Sequence, residues 1–211
     1  MKFLLYLVVT GLSWSCMAQS TLPPLVASGS HIEAGVKLHD EKKYEEAIAR
    51  YRLVSRNDTN YAWALSELAL TYTALEKYDQ AIATAREGLQ RPSRVMLDLY
   101  LRLGNACDGA KQPGQALAAY DEALARFPHS HQLHHEKGVA LARMKRNAEA
   151  IQSLQRALEK SFFYAPSHYA LGLLCGEAGY PVQGMLSLMT YVVLKPESEK
   201  APARWCSWNR W

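Results

Sequence analysis

Small residues return through this sequence at a nearly constant interval, and that interval limits the folds open to the chain more than any other feature. Ala47, Ala81, Ala116, Ala150 and Gly184 are separated by 34, 35, 34 and 34 positions. Twelve positions upstream, Gly35, Ala69, Gly104, Gly138 and Gly172 keep the same intervals. A period of this length marks a chain built from stacked copies of one supersecondary unit. The neighbouring residues agree, because KYEEAIARY (43–51), KYDQAIATA (77–85), QPGQALAAY (112–120), RNAEAIQSL (146–154) and YPVQGMLSL (180–188) are variants of one segment.

Within a unit, large apolar residues follow helical spacing. In the third unit they are Tyr100, Leu103 and Cys107, then Leu117, Tyr120 and Leu124. Gly109, Pro113, Gly179 and Pro181 stand between the two helical stretches, and Pro92, Pro128, Pro166 and Pro196 follow the second. Glycine and proline in such places end one helix and open the next. Each unit is therefore expected to be a helix–turn–helix hairpin. Two antiparallel helices approach closely only where the crossing residues are small, and the two series supply those residues. One hairpin cannot bury its own apolar side, so the hairpins must stack. The expected fold is all-α, a solenoid of five hairpins near residues 28–61, 62–96, 97–130, 131–164 and 165–198.

The residues that carry the period also carry a resemblance. Tyr100, Leu103-Gly104, Ala116, Tyr120, Ala123 and Pro128 in the third unit fall at the offsets of the tetratricopeptide repeat. The first unit supplies Gly35, Tyr44, Ala47 and Tyr51, and the second Leu68-Ala69, Tyr72, Tyr78 and Ala81. The fourth supplies Gly138, Ala150 and Ala157, and the fifth Leu171-Gly172 and Pro196. The sequence thus resembles the tetratricopeptide repeat (TPR) family over about residues 28–198, with departures at Gly88, Lys137, Gly184 and Tyr191. The resemblance implies a right-handed superhelix whose concave face holds a protein or peptide partner.

The second, fifth, ninth and twelfth positions of each first helix are expected to line that face. They place Ile32 in the first repeat, Trp63, Ser66 and Leu70 in the second, and Leu101, Asn105 and Asp108 in the third. The fourth contributes Gln132 and His135 with Arg143 alongside, and the fifth Tyr169. Such a mixture suits an extended peptide or an amphipathic helix. Trp63 and Tyr169 are the expected anchors, since aromatic residues dominate interface hot spots; the plainer reading is that both rings cover neighbouring helices. One subclass of the family binds a C-terminal carboxylate through Lys and Asn. The equivalent positions here hold Ile32, Val36, Glu67, Asp98 and Arg102, so that clamp is absent.

Catalysis finds little support. The run 129–135 contains His129, His131, His134 and His135, and the pair His131/His135 has metal-capable spacing. No nearby carboxylate or cysteine completes a set, so a metal-dependent enzyme is the weaker alternative and no cofactor is expected. No activated nucleophile and no Gly-rich phosphate loop is present. Cys107 and Cys175 occupy equivalent core positions two repeats apart, about 20 Å along the stack, beyond disulfide reach. Cys206 is the one cysteine expected to be exposed and able to pair with another chain.

The net charge of +4 is small and spread along the chain, which argues against a nucleic-acid partner. No apolar run is long enough to span a membrane. Met1 and Lys2 precede an apolar stretch, Phe3 to Leu12, and Cys16 and Ala18 stand at −3 and −1 from a cut before Gln19. This is the pattern of a secretory signal over residues 1–18, followed by a leader at 19–27. A lipoprotein reading would lipidate Cys16, but Ser13-Trp14-Ser15 matches the required preceding residues poorly. The expectation is a secreted or periplasmic scaffold. Residues 182–194 are apolar on more than one face, and 199–211 carry Trp205, Trp208 and Trp211. Three explanations stand open: a capping helix from about Glu197 to Trp211, a shortened version of a longer array, or self-association through this end.

Overall fold

A computed structural model of the chain describes residues 28–195. Among the described residues it contains ten α-helices and no strand. They pair as α1 (Ser28–Asp40) with α2 (Tyr44–Tyr51), α3 (Tyr61–Ala74) with α4 (Tyr78–Leu89), and α5 (Met96–Gly109) with α6 (Pro113–Arg126). The last two pairs are α7 (His131–Arg143) with α8 (Asn147–Lys160), and α9 (Ala165–Glu177) with α10 (Pro181–Leu194). The expected all-α solenoid of helical hairpins is the observed architecture. The signal segment 1–18, Cys16, the leader 19–27, Cys206 and the tail with its three tryptophans lie outside the described residues.

Inside each hairpin the small series meets its counterpart. A Cβ on Gly35 would enter the ring of Tyr51, and one on Gly104 the ring of Tyr120. A Cβ on Gly138 would stand 2.8 Å from Leu154 Cγ, and one on Gly172 2.6 Å from Leu188 Cγ. In the second hairpin the first-helix residue is Ala69, and the residue sixteen positions on is Ala85; both are fully buried. The pair exchanges volume: a glycine admits a tyrosine or leucine, and an alanine takes an alanine.

The turn inside each hairpin follows one rule that the sequence pattern did not reveal. Lys42, Glu76, Lys111, Lys145 and Gly179 all have positive φ, between 57° and 84°. The next amide donates five residues back, Lys43 to Leu38, Lys77 to Tyr72, Gln112 to Cys107, Arg146 to Leu141 and Tyr180 to Cys175. This is a left-handed C-terminal cap, a position that favours glycine. Only the last turn has glycine there. Gly109, expected as a helix breaker, instead sits inside α5, where a Cβ would strike the Tyr78 ring. It is a close-contact residue, and Lys111 makes the turn.

Stacking fixes the inside and outside of the array. The first helices touch in succession, α1 with α3, α3 with α5, α5 with α7 and α7 with α9, and each second helix packs on the following first helix. First helices therefore form the inner, concave layer and second helices the outer one. A continuous apolar core runs between the layers, with Tyr51, Tyr100, Tyr120, Leu99, Leu133 and Leu154 among its largest fully buried side chains.

Candidate functional site on the concave face

Each first helix presents one strip away from both its own second helix and the adjacent hairpins. Its residues are the second, sixth, ninth and thirteenth of each repeat, which share about 60° of helix circumference. The ninth positions, Val36, Leu70, Asn105, Val139 and Leu173, are half-buried in every repeat and form the floor. Trp63 and Gln132, both half-buried second-position residues, stand beside it. Trp63 packs its remaining surface on the core. The sixth positions bring charge: Glu33, Glu67, Arg102 and Glu136. Arg143, at the thirteenth position, is exposed and forms an ion pair with Asp108 across the α5–α7 junction.

The fifth positions do not belong to this strip. Ile32 is fully buried, and Ser66, Leu101 and His135 are at most 9% exposed. They wedge against the next hairpin, whose third and tenth positions are buried as well, Leu99 and Ala106 after Ser66 and Ser167 and Leu174 after His135. The groove expectation for these four residues is corrected: stacking turns the fifth position into an inter-hairpin contact. Tyr169 escapes that burial because α9 has no following first helix among the described residues. Its ring leans on Tyr191 of α10, with centroids 5.0 Å apart, so it covers a neighbouring helix. The sixth positions, Glu67, Arg102 and Glu136, were missed as lining. Helical angle alone ranks them behind the fifth position, at about 60° against about 40° from the ninth, so the burial of the fifth by stacking is what singles them out.

Most neutral polar groups of the inner layer are already engaged within the protein. His39 Nδ1 lies 2.8 Å from Thr71 Oγ1 across the α1–α3 junction, and His135 Nδ1 3.0 Å from Ser167 Oγ across α7–α9. The Tyr120 hydroxyl donates to Asn105 Oδ1 at 2.6 Å. Burial drives His135 down to about 4, assisted by His131. Burial also raises the Glu136 carboxyl, with Arg102 pulling the other way. Tyr51 is pushed up to about 12 by burial and then by the charge of Glu67. Tyr164 is raised by burial and the charge of Glu136. The acidic groups of the face are thus felt by the aromatic residues beneath it.

Residues 101–165 match the tetratricopeptide repeat family. A thermophilic TPR protein of Thermus thermophilus superposes with a TM-score of 0.71 at 21% identity, covering 87% of this chain and 99% of that one. The chain has the fold of tetratricopeptide repeat proteins, and residues 101–165 carry that family's sequence pattern. The TPR architecture recurs in MamA from Desulfovibrio magneticus RS-1, with a TM-score of 0.63, 17% identity and coverage of 82% and 97%. It recurs in YrrB, described as a TPR protein with an unusual peptide-binding site, with a TM-score of 0.56, 20% identity and coverage of 81% and 88%. Protein STIP1 homolog of Dictyostelium discoideum is 25% identical over 142 residues, which are 64% of this chain. The chain spans about a quarter of that relative's length.

Within this TPR array the histidine run serves packing. His134 Nε2 lies 3.2 Å from the Pro128 carbonyl, while His131 and His135 both meet the Tyr164 ring edge-on. No group of three His, Cys, Asp or Glu side chains placed to hold a metal ion occurs among the described residues. Cys107 and Cys175 are buried free thiols whose pKa burial raises. No described helix is long and apolar enough to cross a membrane.

Proposed function

We propose that this TPR array is an exported scaffold that holds a segment of a partner protein on its concave face. The observation that carries the reading is the strip itself. Five first helices keep a half-buried apolar floor, Val36, Leu70, Val139 and Leu173, interrupted once by Asn105. A surface of this kind is covered by a ligand's apolar side more readily than by water. The peptide-binding site ascribed to YrrB supports the same use of the fold. Export rests on the pattern of residues 1–18, and the mass of protein recovered from a bacterial periplasm tests it: a chain beginning at Gln19 is expected.

The groove is tested by capture. Immobilised full-length protein is incubated with envelope extract, and bound proteins are identified by mass spectrometry. Trp63→Ala/Leu70→Ala, with unchanged helicity, should lose the partner that the unaltered chain retains. Equal capture by both would remove the groove from the account. A second reading is favoured by α10, which carries no charged residue and exposes Val182, Met185, Leu186, Met189 and Val193. Two copies could bury that stripe against each other without leaving a charge unpaired, making self-association the activity.

A further inference from the structure

The concave face is electrically unlike the rest of the chain. Six of the seven acids on the five first helices fall on the strip: Glu33 and Asp40 on α1, Glu67 on α3, Asp98 on α5, Glu136 on α7 and Glu177 on α9. Only Arg102 and Arg143 oppose them there, giving six acids against two bases, or −4, in a sequence whose total is +4. The remaining first-helix lysines lie off the face. Lys37 is exposed at the open side of α1, and Lys137 is held 2.5 Å from Asp121 of α6. Bases gather instead in the turns, at Lys42, Lys43, Lys77, Lys111, Lys145 and Arg146. Solvation alone would place charges of either sign on an exposed strip, so exposure does not account for the imbalance.

We infer that the concave face is built to receive a cationic amphipathic helix. This rests on the groove reading above and adds the chemistry of the occupant. Three features select it. The acids flank the apolar floor, so a helix laying leucine-like residues on Leu70 and Val139 would bring Lys or Arg beside Glu67, Asp98 and Glu136. Adjacent first helices lie about 8–10 Å apart, and residues seven apart on a helix rise about 10.5 Å, so one apolar residue per heptad meets one floor residue per repeat. Finally, an extended ligand needs partners for its own amides. The strip offers few: of its neutral polar side chains, Asn105 already accepts from Tyr120, and Gln132 is the one other over five repeats. A helix satisfies its backbone internally and makes no such demand.

Two synthetic helices of about 18 residues test the inference, with the same leucine stripe and with either lysine or glutamate on the polar face. Affinity is read by fluorescence anisotropy, and location by hydrogen exchange on the full chain. The lysine helix should bind at least about tenfold more tightly, weaken with added salt and protect α3, α5 and α7. Glu67→Gln/Asp98→Asn/Glu136→Gln should lose about tenfold for that helix, whereas the outer-face set Glu45→Gln/Asp79→Asn/Glu149→Gln should not. Equal loss in both sets overturns the inference in favour of general charge attraction. Equal binding of both helices with first-helix protection overturns it and leaves the groove reading standing. Absence of first-helix protection with either helix also overturns it. The groove reading is then decided by the capture experiment, whose substitutions change no charge.

Discussion

At the scale of single residues, the inner layer is held by polar contacts between successive first helices, and His135 is the most consequential. It is buried, hydrogen-bonded to Ser167, and held neutral with a pKa of about 4. Unfolding exposes it to water, where histidine titrates near 6.5. The unfolded chain therefore binds a proton that the folded chain refuses. Stability from this group is complete above the ordinary histidine value and is lost as the pH falls from there toward about 4, at roughly 1.4 kcal/mol per pH unit. Glu136 acts in the opposite sense, because its raised pKa lets the fold keep a proton that the unfolded chain releases. Taking the pH from about 7 to about 5 should cost the unaltered protein about 1–2 kcal/mol more than His135→Gln, read from urea unfolding. Identical pH profiles would remove His135 as the cause. This role was hidden in the sequence, where the same histidine reads as groove lining and, more weakly, as part of a metal-spaced pair. Only the neighbouring hairpin, by delivering Ser167, decides between them.

At the scale of helices, two local rules maintain the hairpin, and they differ in how visible they are. The crossing ladder is plain in the sequence because it uses glycine and alanine. Gly104→Ala should destabilise by about 1–3 kcal/mol, since the added methyl enters the Tyr120 ring. Adding Tyr120→Leu, the kind of partner that faces Gly138 and Gly172, should recover part of the loss in a double-mutant cycle. Strict additivity would show that the two residues do not share the crossing. The turn rule is concealed because lysine or glutamate occupies four of the five left-handed positions. There the strain is real, as Cβ crowds the following carbonyl. Lys145→Gly should gain about 0.5–1 kcal/mol in thermal or urea unfolding after allowing for the freer unfolded chain, and Gly179→Ala should lose about 1 kcal/mol. The opposite signs would refute the shared cap.

At the scale of the whole molecule, a stack leaves its ends to be explained. Among the described residues, α10 closes the array with an uncharged helix whose outer stripe is exposed, and Phe162 and Phe163 in the loop between α8 and α9 are exposed as well. An apolar end of this kind associates or binds apolar dye unless further chain covers it. Light scattering on the full-length protein should give a dimer, and Leu186→Glu/Met189→Glu should return a monomer of unchanged helicity. A monomer that binds no dye would show instead that the residues beyond Lys195 cover the stripe. The middle of the array raises no such question, because each hairpin there is covered on both sides.

The amino-acid sequence alone determined the period, the hairpin and the crossing points, because those depend on spacing within one helix and on side-chain size at a contact, both local properties. It also placed Trp63, Leu70 and Asn105 on the first helices and left Cys107 and Cys175 in the core. What it did not decide was how far each hairpin turns relative to the one before. That rotation is set by the combined bulk of the third and tenth positions of one first helix against the fifth of its predecessor. It buries Ile32, Ser66, Leu101 and His135 and brings Glu67, Arg102 and Glu136 to the surface. The acidity of the concave face follows from this rotation, and so only tertiary packing, in which distant repeats choose each other's exposed side, could reveal it.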